Sequence, residues 1–171
     1  VEIPELKVKQ TMTTDTSGKA FFKVKAKPEL WNTENPKLYS VVVSKADEKI
    51  EDTVGFRIIE TKGKQIVLNG KQIFLRGISI HAEAPFRQGR AKEMGCNYVR
   101  LAHYPHNEHM VRQAEKMGLM VWSEIPVYWT ISWENADTYA NAQNQLHDMI
   151  CRDKNRAAVI IWSIAIETPH S

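Results

Sequence analysis

Four ionisable residues stand where an apolar run of the chain stops. His81 follows the run ending at Ile80, His103 the run 98–102, Glu124 the run 119–123, and Glu167 the run 159–166. Imidazoles and carboxylates are the side chains that move protons near neutral pH, and a carboxylate can also attack an electrophilic carbon. Arg100 joins them, because it interrupts an otherwise apolar run where an unpaired guanidinium is costly and so calls for a carboxylate partner. Taken alone, a strand-end His is more often a hydrogen-bonded helper than a catalyst. Recurrence at four successive run ends is harder to assign to packing, since in a (β/α) barrel the C-terminal strand ends gather round one pocket.

The elements that must position these residues follow from the hydrophobic pattern. The runs 98–102, 119–122 and 159–164 lack polar alternation, as parallel strands covered on both faces do. Met110, Val111, Ala114 and Met117 recur at helical spacing over 108–117, and Gly118 supplies a stop. Tyr139, Ala142, Leu146, Met149 and Ile150 form a second stripe over 136–151. Strand, helix, strand, helix, strand calls for right-handed parallel βαβ units. The first unit departs from this template. Only residues 82–97 separate His81 from the next strand, 85–90 are loop-like, and 91–95 look like no more than the last turn of a helix. A crossover with its turns needs at least about ten to twelve residues, so either the helix is missing or the chain crosses without it.

The earlier part reads differently. Residues 22–26, 38–43 and 54–59 have strand character, with turn-forming stretches at 15–18 and 32–36, which suits a small antiparallel sandwich. Asn69-Gly70 between 66–68 and 73–75 predicts a tight hairpin. The pattern changes near residues 60–64, which divides the chain into 1–60 and 61–171.

The formal net charge of +3 comes from 23 basic and 20 acidic residues without a basic run, so nucleic acid is not an expected partner. No stretch of about eighteen apolar residues exists to span a membrane, and residues 1–10 lack the pattern of a secretory signal. The compartment stays open. Cys96 and Cys151 each sit beside apolar residues without a second Cys or His at metal-ligand spacing, and both are expected in the core.

Leu30-Trp31, Asn35-Pro36 and Leu38-Tyr39 are similar to the LW…NP.LY element of the sandwich domain that precedes the barrel in family 2 glycoside hydrolases, the β-galactosidase and β-glucuronidase group. Gly55-Phe56-Arg57, Asn69-Gly70-Lys71 and Leu75-Arg76-Gly77 resemble the GFR…NGK…LRG signature at the barrel entry. Residues 97–105 look like the second barrel strand and 161–167 like the fourth. The resemblance covers nearly the whole chain in order. It implies an immunoglobulin-like β-sandwich followed by the first half of a TIM (β/α)8 barrel.

The activity so implied is retaining hydrolysis of terminal β-linked sugars, with β-galactosides the leading substrate and a carbohydrate the partner. Glu167 takes the place of the general acid/base. His81, Arg100, His103 and Glu124 take positions that line the sugar pocket, and Trp129 and Trp133 could stack on a sugar face or pack onto the sandwich. A retaining enzyme uses two carboxyl groups about 5 Å apart, and the family's nucleophile lies on a later strand, beyond Ser171. The isolated chain is therefore expected to be inactive. The family's Asn before the acid/base, which would bond the sugar 2-hydroxyl, is replaced by Ile166. Glu83 and His106, near His81 and His103, invite a metal reading, but the carboxylate-and-His pair that would support it is absent from 125–129, so no metal or other cofactor is expected. The competing reading is a non-catalytic fragment or degraded relative that binds sugar or acts as an interaction module. In that case unpaired strands at 77–80 and 159–164 would invite another chain, a homo-oligomer included.

Overall fold

The computed structural model describes residues 1–81 and 87–168. Glu2–Ile3 (β1) and Val8–Lys9 (β2) pair antiparallel around a 3₁₀ turn at Pro4–Leu6. β1 then pairs with Tyr39–Lys45 (β3), a β-branched stretch that runs antiparallel to Glu48–Val54 (β4) in unbroken register from Tyr39↔Val54 to Lys45↔Glu48. A second antiparallel sheet is formed by Ile59–Lys62 (β5), Gln65–Leu68 (β6) and Lys71–Ile73 (β7). Its β6–β7 turn places Asn69 at φ 52° and Gly70 at φ 81°, the left-handed pair that a type I′ turn requires, so the expected hairpin forms.

The third sheet is parallel. Gly77–Ile80 (β8), Tyr98–Leu101 (β9), Met120–Glu124 (β10) and Val159–Ser163 (β11) lie side by side in chain order, with β8 and β11 at the edges. Between them run Arg87–Glu93 (α1), Glu108–Met117 (α2) and Ala136–Asp153 (α3). Asn107 caps α2 by accepting from the His109 N–H, and Gly118 ends it at φ 69°. Asn135 caps α3 by accepting from the Asp137 and Thr138 N–H groups. The core between sheet and helices holds Ile80, Val99, Leu101, Val111, Ala114, Leu119, Met120, Val121 and Ala158.

Four expectations need correction. Residues 22–26 form no strand: no described strand pairs with them, and Phe21, Phe22 and Val24 stay exposed, so alternation alone did not suffice. The run 54–59 is not one strand, because β4 ends at Val54 and β5 begins at Ile59. The intervening backbone is diverted to other partners, with Phe56 O accepting from Trp31 N at 2.7 Å and Ile58 N–H donating to Asn69 Oδ1 at 2.9 Å. The first unit does contain a helix, the two-turn α1, which is held because Ala91 is fully buried and Gln88 donates to Met110 O on α2 at 2.9 Å. Finally, Cys151 is exposed on α3, with Sγ 3.5 Å from His147 Nε2, while Cys96 is half-buried against the core.

The antiparallel part meets the parallel part along a polar seam around a buried tryptophan. Trp31 is fully buried and donates its indole N–H to Glu115 O at 2.9 Å. Asn69 donates to Trp31 O at 2.9 Å. Gly55 lets the chain close on this site: a Cβ there would lie 2.8 Å from the Ala157 Cβ and 3.1 Å from Trp31. Beside it Arg156 donates to Thr53 O at 2.7 Å and to Glu115 Oε2 at 3.4 Å, and it pairs with Asp52, as does Arg112. Burial opposes ionisation of Asp52, but the Arg112 and Arg156 bonds outweigh it and hold the carboxyl at about 2. Glu115 behaves oppositely, its pKa raised by burial against the Ala157 N–H and Arg156.

Two outcomes follow from the seam. Trp31→Ala should lower the unfolding free energy by about 3–5 kcal/mol, the cost of emptying a buried aromatic site, as read by urea denaturation. For Asp52 the folded pKa lies below the unfolded one, so its contribution is complete above about pH 4 and lost as pH falls toward 2. Asp52→Asn should therefore destabilise the chain by about 1–3 kcal/mol at pH 7. Urea curves at stepped pH should show that difference shrinking below about pH 4 and disappearing only below about pH 2.

Candidate active site

The four parallel strands present their C-terminal ends side by side, and the polar side chains gather there. Arg100 on β9 aligns with Trp122 on β10, and Glu124 lies two residues further on, on the same face of β10. The Glu124 carboxylate is almost fully buried and receives Arg100 Nε at 3.0 and 3.2 Å and Arg100 Nη2 at 2.9 Å. The guanidinium carbon sits 5.6 Å from the Trp122 ring centre. The carboxylate partner that Arg100 called for is thus Glu124.

Arg100 Nη2 also lies 2.9 Å from His103 Nδ1. A guanidinium can only donate, so Nδ1 accepts and the His103 proton sits on Nε2. The 3.3 Å approach of the same Nδ1 to Glu124 Oε1 is then a contact and not an ion pair. His81, at the end of β8, packs edge-on to His103 with ring centres 5.4 Å apart. His106 is buried, donates from Nε2 to Ala102 O at 2.9 Å and stacks on Tyr104 at 5.2 Å. Among the described residues its Nδ1 finds no partner, and burial lowers its pKa.

Glu167 lies beyond the end of β11. Ile166 bridges Tyr128 in parallel fashion, and its N–H reaches Val127 O at 2.9 Å. Next to this bridge Trp129 donates its backbone N–H to Glu167 O at 3.3 Å and its indole N–H to Glu167 Oε2 at 3.2 Å. Both residues are exposed and left-handed, at φ 58° and 52°. The Tyr128 ring joins the two groups, 5.2 Å from His103 on one side and 5.3 Å from Trp129 on the other.

The structure therefore gathers His81, Arg100, His103 and Glu124 in one contact group and Trp129 with Glu167 in another, linked through Tyr128. Tyr104 and Tyr128 escaped the sequence reading. Their signal was adjacency to His103 and Trp129 in strand-end segments. Trp129 and Trp133 are both more than half exposed, and their contacts among the described residues are with the strand-end loops and α3. Trp133 instead lines a cavity of about 110 Å³ with Ile131 and Tyr139 between the loop after β10 and α3. Glu83 lies outside the described residues. Among the described residues no three His, Cys, Asp or Glu side chains are placed to share a metal ion, and no helix is long and apolar enough to cross a membrane.

Antiparallel sheets followed by parallel β/α units in chain order define a β-sandwich leading into part of a (β/α) barrel, with carboxylates and imidazoles at the C-terminal strand ends. Residues 59–171 match the family described as glycosyl hydrolases family 2, TIM barrel domain, and residues 2–57 match glycosyl hydrolases family 2. The chain belongs to glycosyl hydrolase family 2, as part of its immunoglobulin-like sandwich followed by part of its TIM barrel. It is 30% identical over 155 residues to a β-galactosidase of Thermoanaerobacterium thermosulfurigenes, covering 81% of this chain and 21% of that protein. The solved β-glucuronidase of Parabacteroides merdae superposes with a TM-score of 0.72 at 32% identity, over 81% of this chain and 20% of that one. A β-galacturonidase from Eisenbergiella tayi bound to galacturonate gives 0.74 at 29%, over 86% and 30%. The chain spans about a fifth of the length of the curated relatives it matches.

The buried pair sets the outcome of substitution here. Glu124→Gln leaves the Arg100 guanidinium without its counter-charge and should cost about 3–5 kcal/mol of stability. Replacing both residues, Arg100→Met with Glu124→Leu, should cost less than that single change, since no buried charge is then left alone. Chemical denaturation of the three variants checks this.

Proposed function

We propose that this segment supplies the acid/base side of a pocket that hydrolyses terminal β-glycosides with retention, the chain dividing near residue 60 into sandwich and barrel. Glu167 is the general acid/base. His81, His103 and the Arg100–Glu124 pair form the sugar-facing wall, and Trp129 borders it. What carries the reading is the grouping of these side chains at consecutive strand ends in a chain of family 2. The leading substrate is a β-galactoside, the class that names one of the relatives. A uronate would need a cation for its carboxylate. Among the described strand-end side chains the fixed cation is Arg100, already bonded to Glu124, which favours a neutral sugar over a β-glucuronide.

Among the described residues Glu124 is the other carboxylate at a strand end, and Arg100 holds it as a supporting group. A retaining mechanism needs both acid and nucleophile, each lowering a different part of the barrier. One observation favours a second reading, a sugar-binding module without turnover: Ile166 offers no amide to the 2-hydroxyl.

The 171 residues alone should release no detectable nitrophenol from aryl β-galactosides or β-glucuronides. Joined to the remaining barrel of a family 2 relative, the segment should cleave the β-galactoside. There Glu167→Gln should cut the rate about 10²- to 10⁴-fold, and Ile166→Asn should raise it about 100-fold, the several kcal/mol that bonds to the 2-hydroxyl supply. Turnover by the 171 residues alone that vanishes in Glu167→Gln would show that they contain a nucleophile after all. Sugar binding without turnover in the completed barrel, unchanged by Ile166→Asn, would favour the module.

A further inference from the structure

We infer that Trp129 is a positioning residue for Glu167, acting through its indole N–H, and that its primary role is not a stacking platform for sugar. The inference rests on the reading of Glu167 as acid/base. Three observations carry it. The indole Nε1 lies 3.2 Å from Glu167 Oε2. The two backbones are joined in the same place, by Trp129 N–H to Glu167 O and by the Tyr128↔Ile166 bridge just before. And both residues hold left-handed backbone angles, which cost non-glycine residues about 1–3 kcal/mol each and persist only where the surroundings over-determine them.

The chemistry gives the contact a direction. Glu167 as an acid must hold its proton on one oxygen and present it to the departing glycosidic oxygen. An N–H donor can bond only to an oxygen lone pair, so in the protonated carboxyl it favours the carbonyl oxygen over the hydroxyl. With the indole on Oε2, the proton belongs on Oε1. After the aglycone leaves with that proton, Glu167 is a carboxylate. It takes a proton from the water that attacks the glycosyl-enzyme ester, the water oxygen bonding to the anomeric carbon as the nucleophile's oxygen departs. Throughout the cycle the indole N–H can stay on Oε2. Tyr128, wedged between Trp129 and His103, ties this clamp to the sugar-facing group.

Two measurements decide it. In the 171-residue chain, the five tryptophans give five indole N–H resonances in a nitrogen–proton correlation spectrum, assigned by single Trp→Phe changes. Glu167→Gln should move the Trp129 resonance and leave the other four in place; no movement would overturn the contact. The second measurement uses the segment within a complete barrel and compares a dinitrophenyl β-glycoside, whose leaving group departs without an acid, with a methyl β-glycoside, which requires one. Trp129→Phe keeps an aromatic face and removes the donor. It should lower kcat/KM, which reports the glycosylation step where the acid acts, about 10- to 100-fold on the methyl glycoside and leave kcat/KM on the dinitrophenyl glycoside within about two- to threefold. A stacking platform would instead raise KM equally for both substrates upon Trp129→Ala and be rescued by Phe; that outcome overturns the inference. Glu167→Gln run in parallel separates the two ideas. If it shows no dependence on leaving group, the acid/base reading fails. If it does and Trp129→Phe matches wild type, only the positioning role fails. Should the completed barrel turn over neither substrate, the spectrum of the isolated chain decides the contact.

Discussion

A guanidinium on a strand covered on both faces has to be neutralised where it stands, and much of the barrel segment is arranged around that need. Arg100 aligns with Trp122 across the β9–β10 ladder, so Trp122 and Glu124 share the β10 face that meets it. The ring lies beside the guanidinium and the carboxylate takes its N–H groups. A slip of one residue would carry Glu124 to the other face and leave two buried charges unpaired, so the pair specifies register as well as charge balance. The donor left over goes to His103 Nδ1 and thereby fixes which ring nitrogen carries the proton. A single electrostatic requirement thus links strand alignment to the chemistry of the strand ends.

The opposite end of the sheet carries the anchor. Trp31, Asp52, Arg57 and Asn69 from the antiparallel part meet Glu115, Arg156, Ala157 and Val159 near the start of β11 and the end of α2. Close approach is built into the backbone at Gly55, and again at Gly118, where a Cβ would stand 2.6 Å from Thr33 O. Arg57 supplies two donors to carbonyls of the β11 entry, at 2.8 and 2.6 Å. The joint between the antiparallel and parallel parts therefore sits at the N-terminal strand ends, away from the His81, Arg100, His103 and Glu124 group at the C-terminal ones, the face on which barrels place their functional side chains.

What could be read from the sequence followed the strength of the local signal. Asn69-Gly70, the α2 stripe ended by Gly118 and the unbroken apolar runs each pointed to one structure, because turn chemistry, helical period and two-sided burial were consistent there. The partner of Arg100 was legible in kind, since burial demands a carboxylate, but not in detail. The residues 22–26 misled because alternation reports only a preference for pairing, and pairing needs a neighbour with free hydrogen-bonding groups. The short α1 was hidden for a related reason: its seven residues lean on tertiary contacts, through Ala91 and Gln88, and not on an independent stripe. The contacts of Tyr104 and Tyr128 were out of reach, as no spacing rule brings an aromatic ring from one strand-end loop against a histidine from another.

Ile166 shows how far geometry and chemistry can separate at one position. The resemblance implies an asparagine there, whose amide would serve the sugar, yet the contacts Ile166 makes are backbone ones: the bridge to Tyr128 and the N–H to Val127 O. Those bonds do not depend on the side chain. They sit immediately before Glu167 and, together with the Trp129 contacts, set where its carboxyl lies. Replacing the amide therefore removes a donor from the pocket without releasing the residue that follows it. A chain can lose one term of transition-state stabilisation in this way and keep its proposed acid/base in place, because the position is held by main-chain bonds that tolerate any residue with an N–H to give.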